Sequence, residues 1–271
     1  MIPKVEVILG KVGTGVTEPL HGIIDNNHVI IKTFNNEESN RVLINEFVSH
    51  RMAKALSLPI PDGGICLIDK QTKIDESLCF QEERYGLGFY TKRLDKVTNI
   101  VSSPLLLSKY IANKDDFIKI ILFDNLIYNK DRHKGNVLIN IGKKGNNKLY
   151  IIDHTHVFNI GALWDKYQLK RMIDSEDYNS DEVMQYNEAV YNLLIEAITI
   201  DKDGILKLAE NFKTILSKDF LQNLVRDIPD VWNIDEEEKT MLFNYLFYRV
   251  KNIENICNVI YNYIRNRSRR W

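Results

Sequence analysis

The stretch 123–139 constrains the possible folds of this chain more than any other part of the sequence. In this stretch a polar loop joins an apolar helical pattern to an apolar strand. Asp131 and Asn136 lie five positions apart in that loop. Phosphoryl transfer needs a carboxylate that orients the attacking hydroxyl or accepts its proton, and hard oxygen ligands for the Mg²⁺ that accompanies nucleotide phosphates. Asp131 and Asn136 offer both kinds of group, although Asp and Asn in loops also cap helices and form turns.

A second carboxylate follows in a suitable place. Two short apolar runs, 136–140 and 148–152, flank a turn rich in Gly and Asn, and together they predict a hairpin. Asp153 stands at the end of this hairpin. A lone Asp at a strand end is often a capping residue. The order of helix, loop, hairpin and Asp makes that explanation less suitable for Asp153 and the loop residues Asp131 and Asn136 taken together.

The first third of the chain is rich in predicted strands. Val5, Val7 and Leu9 alternate with polar residues, as is typical of a half-buried strand. Further strands are predicted at 22–24, 28–34, 65–68, 78–82 and 89–94. A helical pattern covers 37–56 and ends before Pro59.

Gly10, Gly13, Thr14 and Gly15 lie between the first two predicted strands. A glycine turn of this kind exposes backbone N–H groups to phosphate oxygens. Glycine-rich hairpins are also common without any ligand, and the spacing here is not that of P-loop NTPases.

One hairpin later, Lys32 interrupts an apolar strand. A strand lysine usually points to solvent, but a lysine that binds phosphate is expected at this place. Glu46, midway along the predicted helix, is a candidate partner for its ammonium group. Glu37 and Glu38 are alternatives, although near the helix start they favour the helix dipole instead.

Helical patterns dominate the remainder of the chain, at 105–111, at 116–128 and almost throughout beyond 165. The sequence therefore predicts an α+β protein with two lobes. The β-rich lobe with one helix covers 1–94, and a mostly helical lobe that holds the loop and the hairpin covers 95–271. The cleft between two lobes is a common place for a ligand.

Composition narrows the class of protein further. Hydrophobic residues make up 44% of the chain, which argues against broad disorder. The formal net charge of −1 gives no bulk electrostatic reason to bind nucleic acid or a membrane surface. No apolar run approaches the ~18 residues that span a bilayer. Three widely spaced cysteines and the lack of a signal-peptide pattern favour a cytoplasmic location.

The motifs together resemble those of the HipA-like kinases, a branch of the protein-kinase-like superfamily, and especially its compact forms. The phosphoinositide kinases share the loop pattern Asp-Arg-His-x-x-Asn, which is 131–136 here. The resemblance implies a kinase that uses ATP, with Asp131 as the catalytic base and with Asn136 and Asp153 as Mg²⁺ ligands. It also implies that Lys32, held by Glu46, contacts the ATP phosphates.

The resemblance extends to the rest of the nucleotide site. It implies that the strand 89–94 runs into a hinge beside adenine, near Lys92 and Leu94, and that Gly13, Thr14 and Gly15 face the phosphates. Two features depart from ordinary protein kinases. The sequence 153–155 reads Asp-His-Thr instead of Asp-Phe-Gly, so a phenylalanine-based switch is not expected, and the glycine spacing differs from Gly-x-Gly-x-x-Gly.

The resemblance also implies a Ser or Thr of a protein as the phosphate acceptor, and an antitoxin or regulator as a candidate partner. HipA-like kinases silence themselves by phosphorylation near the glycine-rich turn, which makes Thr14 and Thr17 candidate sites. A phosphate there would repel the nucleotide phosphates.

Several alternatives stay open at the level of sequence. A lipid or small-molecule alcohol would suit the same chemistry, and a kinase fold without activity would serve as a binding module. His133, His154 and His156 with the two aspartates would form a metal-hydrolase cluster. The basic tail 265–271 would touch nucleic acid, although a solvated helix end is the simpler interpretation.

Overall fold

The computed structural model describes residues 2–13, 17–142 and 146–268. The strands are β1 (Val7–Lys11), β2 (Leu20–Ile24), β3 (Asn27–Lys32), β4 (Gly63–Ile68), β5 (Lys73–Ile74), β6 (Gly86–Lys92), β7 (Val97–Asn99), β8 (Val137–Asn140) and β9 (Lys148–Ile151). The helices are α1 (Arg41–Ala55), α2 (Pro104–Tyr110), α3 (Phe117–Leu126), α4 (Lys166–Asp174), α5 (Glu182–Tyr186), α6 (Glu188–Glu196), α7 (Lys202–Ile215), α8 (Lys218–Arg226), α9 (Glu236–Lys251) and α10 (Ile253–Ser268).

The predicted α+β architecture is confirmed. The N-terminal region forms a six-stranded sheet in the order β4-β6-β3-β2-β1-β5, with α1 inserted between β3 and β4. The hairpin between β2 and β3 turns at Asp25 and Asn26, whose φ angles are 47° and 60°. Asp and Asn tolerate this left-handed conformation better than most residues do, and their presence in the sequence therefore predicts the turn.

The first strand does not follow its predicted alternation. Val5 and Ile8 are buried, whereas Leu9 is 38% exposed. The pairing of β1 with β2 shifts by one residue between Ile8 and Gly10, which is a β-bulge. The departure begins before this bulge, because Ile8 is already buried while Val7 is only half-buried. The bulge then interrupts the alternation further along β1.

The predicted strand at 78–82 is wrong. Leu78 and Phe80 lie in a loop and pack, partly buried, against the core of the sheet. The backbone N–H of Leu78 donates to the carbonyl of Asp75, which closes a turn. The alternating apolar residues therefore reflect a loop that covers the sheet.

Helix α1 begins at Arg41, four residues later than the pattern predicts, so Glu37 and Glu38 lie before it. Ser39 has a φ of 86°, a conformation that no α-helix contains. The helix is buried over most of its circumference, and polar residues such as Asn45, Glu46 and His50 are buried with its apolar ones. This placement matters for the site, because buried polar groups need partners.

The C-terminal region contains α2 to α10 and a three-stranded antiparallel sheet in the order β7-β8-β9. The predicted hairpin is confirmed as β8 and β9, with Val137 opposite Ile151. One large hydrophobic core runs from α1 through this region to α10, and a smaller one lies in the six-stranded sheet. The lobe boundary between residues 94 and 95 stays a prediction. Among the described helices, none is both long and apolar enough to cross a membrane.

Candidate active site

Lys32 is the centre of the site. It ends β3 and is only 8% exposed, so its ammonium group requires partners within the protein. The Nζ atom donates to Oδ1 of Asp153 at 2.8 Å and also contacts Oε1 of Glu46 and Oγ1 of Thr155. Three distant parts of the chain therefore meet at one cation: a strand of the six-stranded sheet, the middle of α1 and the loop after β9.

The loop after β9 is shaped by its own hydrogen bonds. Asp153 adopts a left-handed conformation with a φ of 59°. The backbone N–H of Thr155 donates to Asp153 Oδ1 at 3.2 Å, and the backbone N–H of His154 donates to Glu46 Oε1 at 3.1 Å. The strained backbone is thus held from both sides, which is a common property of functional sites.

The charges in this cluster stabilise one another. Burial alone would lower the pKa of Lys32, but the carboxylates of Asp153 and Glu46 outweigh it and raise that pKa. Burial alone would raise the pKa of Asp153, but the charge and hydrogen bond of Lys32 hold it well below its ordinary value. Lys32 is therefore a cation and Asp153 an anion across the working range of pH.

Asp131 and Asn136 lie together in the loop between α3 and β8. Asn136 Nδ2 donates to the backbone carbonyl of Asp131 at 2.8 Å, and the N–H of Asp131 donates to Oδ1 of Asn129 at 2.9 Å. The side chain of Asp131 remains 41% exposed, whereas Asn136 is buried. The loop thus presents one accessible carboxylate and one fixed amide.

Arg132 joins this loop to the loop after β9. Its guanidinium is fully buried and donates to both carboxylate oxygens of Asp124, at 2.9 and 3.0 Å. It also donates to the backbone carbonyls of Asn136 at 3.1 Å and Ile152 at 2.7 Å. The residues that flank Asp131 and Asp153 are therefore tied to the same planar group, whose fork geometry suits several acceptors at once.

His154 follows Asp153, at the position where the resemblance to protein kinases would place phenylalanine. Its Nε2 lies 3.1 Å from the Arg132 guanidinium, and its ring meets the edge of Phe123. Burial and the charge of Arg132 keep the pKa of His154 well below its ordinary value, so the ring is neutral.

The three histidines of the metal-hydrolase alternative have separate surroundings. His133 is exposed beside Asp131, His156 lies 3.7 Å from Glu38, and His154 is buried against Arg132. Within the described residues, no group of three or more His, Cys, Asp and Glu side chains is arranged to hold a metal ion.

A cleft of about 310 Å³ opens beside the Lys32 cluster. Lys32, Glu46 and Asp153 lie at one part of its wall, and the predicted hinge residues Lys92 and Leu94 also line it. The rest of the lining is mostly apolar: Val12, Pro19, Ile30, Ile60, Phe89, Val97, Leu138 and Ile151. An apolar slot with charged groups at one part suits a flat aromatic base joined to an anionic tail.

The glycine-rich turn is described only in part. Gly13 has a φ of 64° and open space around the position of a Cβ, whereas Thr14 and Gly15 lie outside the described residues. Thr17 is buried, and its carbonyl accepts a hydrogen bond from Asn36 at 2.7 Å. Glu18 contacts Lys11 across the hairpin, and Arg84 donates to it at 3.3 Å.

The residues present fit a hard cation such as Mg²⁺. Asp153 uses Oδ1 for Lys32 and Thr155, and no described residue donates to its Oδ2. Asn136 uses its Nδ2 within the loop, which leaves Oδ1 as a ligand. A carboxylate and an amide oxygen are the ligand types that Mg²⁺ prefers.

Sequence reasoning missed four side chains of this site: Asn45, Asp124, Arg132 and Thr155, which received no role. Asp124 and Arg132 stand inside the informative stretch, so the pattern contained a signal for them. Asn45 and Thr155 carry none, because a buried Asn in a helix and a Thr in a loop are recognised only through their contacts.

Known proteins that are similar to this chain match most of its length. The sequence model of the HipA-like kinases matches residues 5–260. The proinflammatory kinase CtkA of Helicobacter pylori has a similar structure, with a TM-score of 0.59 and 12% identity over 92% of this chain and 95% of CtkA. HipA of Shewanella oneidensis, solved with HipB and operator DNA, gives a TM-score of 0.46 and 14% identity over 90% of this chain and 65% of that one. No curated protein sequence matches the chain.

Proposed function

The chain belongs to the HipA-like kinase family, and we propose that it binds ATP with Mg²⁺ in the cleft and transfers the γ-phosphate to a hydroxyl group of a protein Ser or Thr. The observation that carries this proposal is the Lys32 cluster at the cleft wall, where a strand lysine meets both Glu46 and Asp153. A phosphate-binding lysine needs such partners, because an unpaired cation would not remain buried before the nucleotide arrives.

In this proposal Lys32 contacts the ATP phosphates, and the apolar slot between Ile30 and Leu138 receives the adenine beside Lys92 and Leu94. Asp131 orients the acceptor hydroxyl and accepts its proton as the new oxygen–phosphorus bond forms. The bond from the γ-phosphorus to the bridging oxygen breaks, and ADP leaves with that oxygen. Mg²⁺, held by Asn136 and Asp153, would neutralise charge on the phosphates.

Asp131 suits the role of base in two respects. Its carboxylate is partly exposed, so an acceptor hydroxyl has access to it. Its backbone is fixed by Asn129 and Asn136, so its position does not depend on the acceptor. Preorganised groups of this kind lower barriers because they need no rearrangement during reaction.

A regulator as partner and a cytoplasmic location remain proposals. HipA of Shewanella oneidensis belongs to a toxin–antitoxin system with HipB, and a comparable regulator for this chain is a hypothesis to test by co-purification. Cys66, Cys79 and Cys257 are all free, which suits a reducing compartment.

The test combines binding with transfer. Titration calorimetry should give saturable binding of Mg·ATP to the wild-type chain and to Asp131→Ala, because Asp131 faces the acceptor. Incubation with labelled ATP and a lysate, followed by mass spectrometry, should give Asp131-dependent phosphate on protein Ser or Thr. Label found only in lipid or small-molecule fractions would replace the acceptor class, and absence of ATP binding by the wild type would overturn the proposal.

A further inference from the structure

Asn45 is the neighbour of Glu46 on α1, and it is fully buried. Its Nδ2 donates to the carbonyl of Thr155 at 2.7 Å and to that of Gly161 at 3.0 Å. Its Oδ1 accepts from Nε1 of Trp164 at 2.8 Å. Both donor hydrogens and the acceptor of one amide are thus used by the segment 155–164.

This segment is held by further contacts at the same place. The guanidinium of Arg41, from the first turn of α1, lies 4.4 Å from the centre of the Trp164 ring. Gly161 has a φ of 66°, and a Cβ there would stand 2.9 Å from Nδ1 of His156, so the turn that presents its carbonyl to Asn45 favours glycine.

Asn45 and Glu46 both form hydrogen bonds with Thr155. Asn45 binds the carbonyl of Thr155, while the Thr155 hydroxyl donates to Glu46 at 3.2 Å. Thr155 in turn donates its N–H to Asp153. Any movement of the segment away from α1 would therefore displace Asp153 relative to Lys32.

Phosphorylation of a hydroxyl residue within the segment 155–164 does not explain how the segment is ordered. Between Asp153 and Trp164 the only hydroxyl residue is Thr155. Thr155 is 1% exposed, and its hydroxyl is bonded to Lys32 and Glu46. Order in this segment therefore has to come from within the fold.

We infer that Asn45 is a positioning residue: it fixes the segment 155–164 to α1, so that Asp153, Lys32 and Glu46 keep their arrangement without phosphorylation of that segment. The inference rests on the proposed kinase function. A buried Asn with only a structural role would contribute to stability and leave the kinetics of the folded enzyme unchanged.

The test uses Asn45→Ala and the milder Trp164→Phe, which removes the indole N–H that donates to Asn45 together with part of the ring. Trp232→Phe is the matched control, because Trp232 is also buried and its Nε1 donates at 2.7 Å to the carbonyl of Leu87, away from the segment. Each full-length variant is studied at a temperature where circular dichroism shows it folded. Hydrogen exchange of peptides from 154–164, the Kd for ATP without Mg²⁺ and kcat at saturating Mg·ATP are measured.

We expect exchange in 154–164 to quicken about tenfold in Asn45→Ala, and less in Trp164→Phe, because local opening becomes easier. We expect kcat to fall about tenfold or more in Asn45→Ala, with little change in the Kd for ATP, because misplacement of catalytic groups costs rate. Trp232→Phe should change neither. Wild-type kcat in folded Asn45→Ala, or in Trp164→Phe should Asn45→Ala not fold, would overturn the inference. Faster exchange in Asn45→Ala, together with no ATP binding by the wild-type chain, would instead contradict the proposed function.

Discussion

At the scale of single residues, the site depends on groups whose burial is tolerable only together. Lys32 and Glu46 are both almost fully buried, and Asp153 adds a second carboxylate. Removal of one member of a buried ion pair leaves an uncompensated charge, which costs more than the pair contributes. Substitutions here should therefore affect both stability and activity.

Replacement of Lys32 tests its assigned contact with phosphate. Lys32→Ala leaves two carboxylates facing each other, and the loss of a buried partner is expected to cost about 3–5 kcal/mol of unfolding free energy. In the fraction that remains folded, the KM for ATP should rise and kcat should fall. Urea denaturation and steady-state kinetics give the two quantities.

Lys148→Ala is the matched control, because Lys148 also lies in a strand but is exposed. Its stability should change by no more than about 0.5 kcal/mol, as at most surface positions. Equal kinetic constants for Lys32→Ala and the wild type would assign Lys32 a purely structural role.

The two proposed metal ligands, Asn136 and Asp153, can be distinguished by how activity depends on Mg²⁺ when each is replaced. Asn136→Ala removes an amide oxygen, so the Mg²⁺ concentration for half-maximal activity should rise, and high Mg²⁺ should restore part of the rate. Asp153→Ala removes the proposed charged ligand, which is also a partner of Lys32. We expect a rate loss of at least about 10²-fold that high Mg²⁺ does not restore. Identical Mg²⁺ titrations of Asn136→Ala and the wild type would exclude Asn136 as a ligand.

At the scale of elements, α1 explains why the site was only partly predictable. Glu46 was a candidate because it lies midway along an obvious helical pattern, and the structure pairs it with Lys32. Asn45 was not, because the pattern does not reveal that α1 is buried on nearly all sides. Helices and hairpins with clear periodicity were predicted well, whereas the bulge in β1 and the loop at 78–82 depend on tertiary packing that no local pattern contains.

The pairing of β4 with β6 gives a prediction at this scale. A Cβ at Gly63 would stand 2.3 Å from the carbonyl oxygen of Tyr90, so the strands could not keep their spacing. Gly63→Ala should lower the unfolding free energy by about 1–3 kcal/mol through overpacking. At Gly64, in the same strand, the nearest atom lies 3.9 Å away, so Gly64→Ala is the control. Denaturation midpoints that fall equally for both variants would show that the close approach is not the cause.

At the scale of the whole molecule, α1 lies between two strands of the six-stranded sheet in sequence but packs in the large core. Its residues Leu43, Phe47 and Met52 belong to the large core of the helical region, while the six-stranded sheet has its own smaller core. The helix that supplies Glu46 is therefore anchored to the region that carries Asp131 and Asp153. The Lys32 cluster therefore forms when the two regions fold together, and its geometry depends on the global stability of the protein.

Global stability should also depend on pH through His50, a buried residue of α1. Its Nε2 lies 3.0 Å from the carbonyl oxygen of Pro61, so the neutral ring fits as a donor. The charged groups that face it are Lys54, Asp62 and Arg51, with neutral His154 nearby. Burial lowers the pKa of His50 despite the favourable contact with Pro61.

The sign of the effect follows from that direction. Because the pKa of His50 is lower in the folded state than its ordinary value near 6.5, the unfolded chain takes up the proton first as the pH falls. The stabilisation is complete above about pH 6.5 and declines below it, by at most about 1.4 kcal/mol per pH unit for this one group.

His50→Gln keeps a donor for Pro61 but has no proton to gain, so its unfolding free energy should decline less between pH 7 and 5.5 than that of the wild type. Chemical denaturation across this range measures both slopes, and parallel curves for His50→Gln and the wild type would show that His50 does not couple folding to protonation.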